Sequence, residues 1–240
     1  MLTKVHLRCL VLLIFFIVGC SHIEEKKNPD KPEDLKQMLS SVRLPTGIYK
    51  FSRRGRRRWS YIVIHHSATW SGNAASFGRY HRKKGWRALA YHFVVNNGNG
   101  SADGKIEIGS RWKKKMSGGH VSWRGQAAYN MWGIGICLTG NFNYRHPTLK
   151  QKLALLALVL ELKRRYRIPT YRILGHNEVP SYHRPVFKFK TSCPGRLFSM
   201  DRFRQMVRYL DKRLYKRRPP VKQVYRRYLA WKQRSRQVWP

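Results

Sequence analysis

The stretch Tyr61–His66, YIVIHH, places two histidines at the end of a run of β-branched and aromatic residues. Such a run predicts a buried strand. Residues 91–95, YHFVV, form a second run of this kind, which the turn-forming sequence at residues 96–98, NNG, closes. Between the two runs, residues 75–84 predict a helix that ends at Gly85. This strand–helix–strand unit indicates an α/β fold.

Later segments extend the same alternation of strands and helices. The sequence predicts strands over residues 105–108, 133–138 and 171–174, and a helix over residues 149–166. Thr148 is expected to cap that helix and Pro169 to end it. The apolar part of the helix is too short to cross a membrane, so we expect a core helix. The fold class that follows is α/β, with a mixed, mostly parallel central β-sheet flanked by helices.

Three residues near the ends of predicted elements are candidate metal ligands. They are His65, His176 and Cys193. Two imidazoles and a thiolate suit a catalytic zinc site, which keeps a fourth position open for water. Zinc lowers the pKa of such a water to about 7 and polarises a carbonyl group. Taken singly, each residue has an ordinary structural explanation, and a lone cysteine is most often a small buried hydrophobe.

The local sequences around these residues resemble the type 2 N-acetylmuramoyl-L-alanine amidases, the family that includes phage lysozyme-type amidases and animal peptidoglycan recognition proteins. The resemblance covers roughly residues 59–205 and keeps the family's order. It implies the fold of the peptidoglycan recognition proteins and a Zn²⁺-dependent hydrolysis of the amide between N-acetylmuramic acid and L-alanine of peptidoglycan. The matching segments are residues 63–69 (VIHHSAT), 85–86 (GW), 90–93 (AYHF), 103–109 (DGKIEIG), 119–120 (GH), 133–140 (GIGICLTG), 175–179 (GHNEV) and 191–195 (TSCPG).

The resemblance also implies a role for particular residues. The family's zinc ligands carry over to His65, His176 and Cys193. His65 is preferred over His66 because it occupies the first position of the His-His pair in the matching segment. Neighbours along a strand point to opposite faces, so we do not expect both to bind one metal. Tyr91 matches the catalytic tyrosine, whose phenol would donate a hydrogen bond to the developing oxyanion. The other two matches are Thr191, where phage members have lysine and animal amidases threonine, and His120, which would line the substrate groove.

For several residues near these motifs, the sequence is compatible with two roles. Glu178 is either a general base or ligand-orienting residue, or an acid that makes local hydrogen bonds. His183 is a rival ligand or a solvated loop residue, and Lys188 and Lys190 either assist Thr191 or are solvated. Cys137 lies in a predicted interior strand and is expected to be a reduced core residue.

Two departures separate this chain from the family pattern. Met131-Trp132 stands where the family commonly has Asn-Ser, and residues 179–192 are longer than the usual spacing between the second histidine and the cysteine. The first would change a loop near the groove, and the second could form part of a groove wall.

The first residues predict export to the cell envelope. Residues 1–19 combine early basic residues with an apolar run and are typical of a secretory signal. Residues 17–20, IVGC, resemble the bacterial lipobox, which implies cleavage before Cys20 and its lipidation. Ser21 would favour the outer membrane in Gram-negative bacteria. We therefore expect a lipoprotein of the outer membrane facing the periplasm, with a flexible tether over residues 20–45.

The remaining chain divides into a zinc amidase domain, residues 46–205, and a basic aromatic C-terminal tail, residues 206–240. The formal net charge is +39, and only six of the eleven acidic residues lie beyond residue 45. Peptidoglycan is the expected partner, with anionic envelope polymers or lipid phosphates for the tail. The alternatives are a tail without a specific partner, a non-catalytic peptidoglycan-binding module, and a nucleic-acid binder. For an exported protein we expect no specific nucleic acid.

Overall fold

The computed structural model describes residues 32–50, 59–180 and 191–214. The chain divides into two compact units, residues 1–35 and residues 36–240. Of the first unit, only residues 32–35 are described. Within the described ranges, no helix combines the length and the apolar character that crossing a bilayer requires.

The described residues contain helices, short 3₁₀ turns and five strands in an alternating order. The 3₁₀ turns are Thr46–Lys50, Thr170–Arg172 and His176–Glu178. The strands are β1 (Tyr61–His66), β2 (Phe93–Val95), β3 (Ile106–Ile108), β4 (Gly133–Leu138) and β5 (Ile173–Gly175). The helices are α1 (Pro32–Ser40), α2 (Ala74–Lys83), α3 (Ser110–Lys113), α4 (Trp123–Met131), α5 (Leu149–Tyr166) and α6 (Met200–Leu214).

The five strands form one sheet in the order β3-β2-β4-β1-β5. Strand β1 pairs in parallel with β4 and β5, β2 pairs in parallel with β4, and β3 is antiparallel to β2. The prediction of a mixed, mostly parallel sheet is therefore confirmed. In this register Tyr61 lies opposite Gly133 and His65 opposite Cys137. Because parallel strands end at the same edge, the polar residues that follow β1 and β5 meet there.

Helix α5 closes the core as its sequence predicts. The Thr148 side chain accepts a hydrogen bond from the Gln151 backbone, and Gln151 reciprocates in a capping box. The Gln151 amide also donates to the carbonyls of Val95 and Thr139, which ties the start of α5 to the strand ends. Leu155, Leu158 and Leu162 are fully buried along one stripe.

The first described helix lies within the predicted tether, residues 20–45. Residues 32–40 form α1, which begins at Pro32. Proline is favoured at the first position of a helix, where its missing N–H has no intrahelical partner. Leu35 and Leu39, one turn apart, are both buried. Residues 20–31 lie outside the described residues.

The predicted boundary between the domain and its tail, at residue 205, lies within helix α6. Helix α6 runs from Met200 to Leu214 without a break. Val207 and Leu210 are buried, so this helix belongs to the folded domain. The many Lys and Arg residues of this segment make the spacing of its buried apolar residues hard to recognise in the sequence. The rest of the predicted tail, residues 215–240, lies outside the described residues.

Most predicted elements have shifted ends. The predicted strands over residues 91–95 and 171–174 are shorter in the structure, since β2 begins at Phe93 and β5 at Ile173. Helices α3 and α4 were not predicted. Helix α4 contains non-helical backbone at Arg124 and at Gly125, where φ is 75°, so its sequence carries no regular helical pattern.

Candidate active site

The structure brings the three predicted ligands together at one edge of the sheet. His65 is the second-to-last residue of β1, His176 directly follows β5, and Cys193 comes from the loop before α6. One ligand atom from each residue lies within 4.8 Å of the others. The Nδ1 atom of His65 is 3.6 Å from the Sγ atom of Cys193. Two nitrogens and one sulfur at this spacing fit a zinc ion with an open fourth position.

Burial sets the protonation of these ligands. It lowers the pKa of His65 well below its usual value, and the neighbouring His176 and His120 add to the effect. Burial, with a smaller contribution from His66, lowers the pKa of His176 to about 4. Both imidazoles are therefore neutral at pH 7 and can offer a lone pair to a metal. Burial raises the pKa of the Cys193 thiol to about 12, so the thiolate that binds metal needs a cation beside it.

His66 points away from the cluster, as the alternation along β1 requires. Its Nδ1 atom accepts a hydrogen bond from the Phe142 backbone, 3.1 Å away. Its own backbone N–H donates to the sulfur of Cys193 at 3.4 Å. His66 thus supports the cysteine through its main chain rather than through its ring.

His120 lies against His65. Its Nδ1 atom is 3.1 Å from the Nε2 atom of His65, and its own Nε2 atom is 3.4 Å from the carbonyl oxygen of Gly133. A carbonyl can only accept, so the tautomer that satisfies both contacts has a proton on Nε2 of His120 and a proton on Nε2 of His65. This tautomer leaves Nδ1 of His65, the atom that faces Cys193, without a proton.

Two glycines make room for the His120 ring. A Cβ atom added at Gly118 or at Gly135 would lie 2.3 Å from the Cδ2 atom of His120. That distance is far inside van der Waals contact. Gly118 and Gly135, the second glycine of the GIG sequence in β4, therefore have a steric function beneath the site.

A groove leads to the cluster. It is a cavity of about 700 Å³ whose lining includes His120 and His176. The indole rings of Trp86 and Trp123, 47% and 55% exposed, stand in its walls. Among the described residues that line it, none is acidic. A molecule bound in the groove would therefore contact no negatively charged side chain among these residues.

Arg111 is a buried cation in this groove, a position that the sequence does not predict. The side chain is only 9% exposed. Its Nε atom donates to the Leu89 carbonyl at 2.7 Å and its Nη1 atom to the Ser117 carbonyl at 2.6 Å. Burial, together with the charge of Arg87, lowers the pKa of Arg111. In the sequence, Arg111 precedes Lys113-Lys114-Lys115. Such a basic run indicates solvent-exposed side chains, so the burial of Arg111 cannot be predicted from it.

Residues 55–196 match the family described as Amidase_2, N-acetylmuramoyl-L-alanine amidase. The chain belongs to this amidase family. It is 29% identical to an endolysin of Klebsiella phage KP32 over 143 residues, which cover 56% of this chain and 85% of the endolysin. It is 28% identical to an endolysin of Escherichia phage T7 over 138 residues, or 54% of this chain and 82% of that one.

A solved amidase structure is also similar. The N-acetylmuramoyl-L-alanine amidase LysC from Clostridium intestinale URNW superposes with a TM-score of 0.52 at 25% sequence identity. The superposition covers 63% of this chain and 87% of LysC. The fold of this amidase family member is thus that of a solved amidase.

Tyr91 borders the ligand cluster of this amidase family member. It lies two residues before β2, and its ring centroid is 5.2 Å from that of His65. Burial raises the pKa of Tyr91 well above its usual value, and the thiols of Cys137 and Cys193 raise it further. The phenol therefore keeps its proton and acts as a hydrogen-bond donor. Cys137, expected to be a core residue, is fully buried beside it.

Thr191 is held close to the cysteine ligand. Its Oγ1 atom accepts a hydrogen bond from the Cys193 backbone at 3.1 Å. A hydroxyl that accepts in this way still has its own O–H to donate elsewhere. The structure thus leaves Thr191 able to donate a hydrogen bond near the ligands.

Glu178 forms an ion pair with α6. Its two carboxylate oxygens accept from the guanidinium of Arg204 at 2.7 and 2.9 Å, and one of them also accepts from the Gly175 backbone at 2.9 Å. Gly175 and Glu178 flank His176. Of the two interpretations of Glu178, the geometry favours local hydrogen bonds that hold the turn carrying a ligand.

The remaining site residues lie outside the described part of the chain. These are the lipidation candidate Cys20, the rival ligand His183, and Lys188 and Lys190.

Proposed function

We propose that the protein is a zinc-dependent amidase that hydrolyses the bond between N-acetylmuramic acid and the L-alanine of the peptidoglycan stem peptide. The observation that carries the proposal is the ligand cluster, in which atoms of His65, His176 and Cys193 lie within 4.8 Å of one another. The groove ends on two members of the site, His120 and His176. Family membership supplies the reaction class.

His65, His176 and Cys193 would hold the zinc ion. When bound, zinc supplies a Lewis acid that polarises the scissile carbonyl and makes water a better nucleophile. Tyr91 donates a hydrogen bond to the carbonyl oxygen as negative charge develops on it. Thr191, whose Oγ1 atom accepts from the Cys193 backbone, donates its own O–H to the same oxygen. His120 keeps His65 in the tautomer that presents Nδ1 to the metal.

The groove matches the chemistry of this substrate. Stem peptides carry carboxylates, and Arg87 and Arg111 place two guanidiniums in the lining of the cavity. A guanidinium can bind a carboxylate through two parallel hydrogen bonds. Trp86 and Trp123 offer apolar faces to the sugar or to the peptide backbone. The absence of acids among the described lining residues supports an anionic substrate.

The proposal includes a location in the cell envelope. The lipobox-like sequence at residues 17–20 supports cleavage before Cys20 and its lipidation, which would anchor the protein in the outer membrane facing the periplasm. Anionic envelope polymers or lipid phosphates are the proposed partners of the basic residues beyond α6. Metabolic labelling with a fatty acid, compared between the wild type and Cys20→Ala, tests the anchor separately from the activity.

The decisive experiment measures zinc content and peptide release together. Purified wild type incubated with peptidoglycan should free stem peptides whose N-terminus is L-alanine. Cys193→Ala should lose both zinc and activity. Tyr91→Phe should retain zinc but turn over about 10²- to 10³-fold more slowly, the cost of removing one donor to an oxyanion. Cys137→Ala, which removes a buried thiol outside the ligand cluster, should retain zinc.

Two results would overturn the proposal. If the wild type binds zinc and retains peptidoglycan without cleaving it, the protein is a binding module. If Cys193→Ala keeps stoichiometric zinc, the ligand assignment fails.

A further inference from the structure

A group of large side chains lies where the parallel strands begin, at the end of the sheet away from the ligands. Trp132 immediately precedes β4, and Tyr171 lies two residues before β5. Trp132 and Tyr171 lie at the same end of the sheet, because Tyr61 of β1 pairs with Gly133 of β4 and Ile62 of β1 with Ile173 of β5. Helix α5 ends at Tyr166, on its way back to the start of β5. We call Tyr49, Met131, Trp132, Tyr171 and Arg172 the strand-start surface.

The aromatic and apolar members of the strand-start surface are solvent-exposed. Tyr171 is 68% exposed, Tyr49 and Trp132 are each 44% exposed, and Met131 is 37% exposed. Exposed large side chains that cluster, rather than occur singly, mark an interaction site. The proposed amide hydrolysis does not use any of them.

Guanidinium groups lie on these rings. The guanidinium of Arg172 lies 5.2 Å from the ring centroid of Tyr61 and 5.7 Å from that of Tyr171. The guanidinium of Arg165 lies 5.4 Å from the ring centroid of Tyr49 and donates to the Tyr49 carbonyl. The described ranges 46–50, 59–72, 123–136 and 162–177 contain no acidic residue. Glu178, which follows the last range, is paired with Arg204. Arg165 and Arg172 therefore give this surface a positive charge.

Both basic segments of the chain join the domain at this end. Residues 53–58 contain five arginines and lead directly to Trp59, two residues before β1. Helix α6 reaches the same end, because Asp211 forms a 2.6 Å ion pair with Lys163 in the last turn of α5. The basic residues that follow Leu214 lie outside the described residues.

We propose that the strand-start surface docks on a lipid bilayer that carries anionic headgroups. Amphipathic tryptophan and tyrosine side chains favour the interface between headgroups and acyl chains. Lys and Arg side chains near an anionic leaflet add electrostatic attraction. Met131, an apolar side chain among the rings, suits an acyl boundary better than a nucleic-acid backbone. The inference rests on these surface residues alone and goes beyond the proposed hydrolysis.

Docking by this surface sets the orientation of the site. His65 lies four residues along β1 from Tyr61, which is about 13 Å at the rise of a strand. The ligand cluster at the carboxyl ends of β1 and β5 then faces away from the bilayer. A membrane-bound protein could thus present its groove to a polymer layer beside the membrane.

Hydroxyl-radical footprinting tests the orientation directly. The full chain is incorporated into vesicles of phosphatidylcholine alone or of phosphatidylcholine with phosphatidylglycerol, so that any N-terminal anchor is common to both. On the anionic vesicles, we expect oxidation of Met131, Trp132 and Tyr171 to slow several-fold. Trp70 and Tyr144 are the internal control, since they are 53% and 68% exposed and lie beside Arg145 elsewhere on the domain. Their oxidation should not change.

Matched variants distinguish binding by the strand-start surface from nonspecific attraction by the overall positive charge. Arg172→Ala should abolish the slowing at Trp132, whereas Arg145→Ala, the same change on the control pair, should preserve it. Unchanged zinc content in both variants shows that the fold is intact. Equal oxidation on both vesicle types, or equal slowing at Trp70, would overturn the proposal. So would stronger slowing with duplex DNA at the same salt concentration, or slowing that depends on protein concentration without lipid, which would indicate a second copy.

Discussion

The Nε2 atom of His65 lies 3.1 Å from the Nδ1 atom of His120, and both rings are buried. The contact links a ligand on β1 to a residue 55 positions later. Through it, the Gly133 carbonyl fixes the tautomer of His120, and His120 fixes that of His65. An outer-shell partner of this kind sets both the orientation and the basicity of a metal-binding histidine.

Removing this partner should weaken zinc binding. We expect His120→Leu to raise the zinc Kd about 10- to 100-fold, the usual cost of losing an outer-shell partner. His120→Asn keeps a carbonyl oxygen that can accept from His65, so it should recover part of the affinity. Chelator competition measures the Kd, and thermal unfolding of the metal-free proteins reports any general loss of stability. If the two variants bind zinc equally, His120 has only a packing role.

The close packing of the His120 ring against Gly135 provides an independent test of its role in zinc binding. Gly135→Ala places a Cβ atom 2.3 Å from the ring, so the ring must move and zinc affinity should fall as in His120→Leu. Gly78→Ala is the control, because a Cβ atom there meets only ordinary contacts, the nearest at 3.6 Å. Gly78 lies inside α2, where alanine should stabilise the helix by about 0.5–1 kcal/mol. Unchanged zinc affinity in Gly135→Ala would contradict the steric argument.

The three candidate ligands could be named from the sequence because the segments around them resemble one amidase family, although each residue taken singly has an ordinary structural explanation. His65 ends the YIVIHH strand, and His176 follows a strand that the sequence also indicates. The role of His120 was not predictable from residue types, since its contact with His65 depends on the register of β1 against β4. The resemblance to the amidases implies only a place in the groove for His120, and His120 does line the cavity.

Helix α6 shows how charge can conceal packing. Residues 201–240 contain fourteen Lys and Arg, which suggests a solvated tail. Val207 and Leu210, three residues apart, nevertheless bury one face of α6 against the domain. Arg204, the partner of Glu178, lies 26 residues further along the chain. A long-range ion pair leaves no signal in a single sequence.

The Glu178–Arg204 pair should support zinc binding through the turn that carries His176. Glu178→Gln should lower the free energy of unfolding by about 1–3 kcal/mol, as expected for a hydrogen bond to a charged group, and should also weaken zinc affinity. Asp211→Asn is a matched control, because the Lys163–Asp211 pair also ties α6 to the domain and is similarly buried. It should lower stability without changing the zinc Kd. Equal zinc affinity in both variants would remove the positioning role of Glu178.

Arg111 should determine how the groove binds acidic substrates. We expect Arg111→Met to raise KM about 10- to 100-fold for stem peptides with free carboxylates, because a hydrogen bond to a charged group contributes about 1.5–3 kcal/mol. It should have little effect on peptides whose carboxylates are amidated. Arg124→Met is the control, since Arg124 is exposed and follows Trp123 without lining the cavity. If Arg111→Met raises KM equally for both peptides, the guanidinium does not recognise a carboxylate.

The buried histidines predict that the metal-free protein loses stability in mild acid. Burial lowers the pKa of His176 from 6.5 to about 4 in the folded state, and that of His65 falls in the same direction. Between these values the unfolded chain binds more protons than the folded one, so protonation favours unfolding. The stabilisation is complete above pH 6.5 and is lost as the pH falls towards 4, with a slope of at most about 1.4 kcal/mol per pH unit for each histidine. Urea unfolding with a chelator at pH 7.5, 6 and 5 measures this slope. His176→Asn, which removes one of the titrating groups, should reduce it, and an unchanged slope would show that His176 titrates alike in the folded and unfolded states.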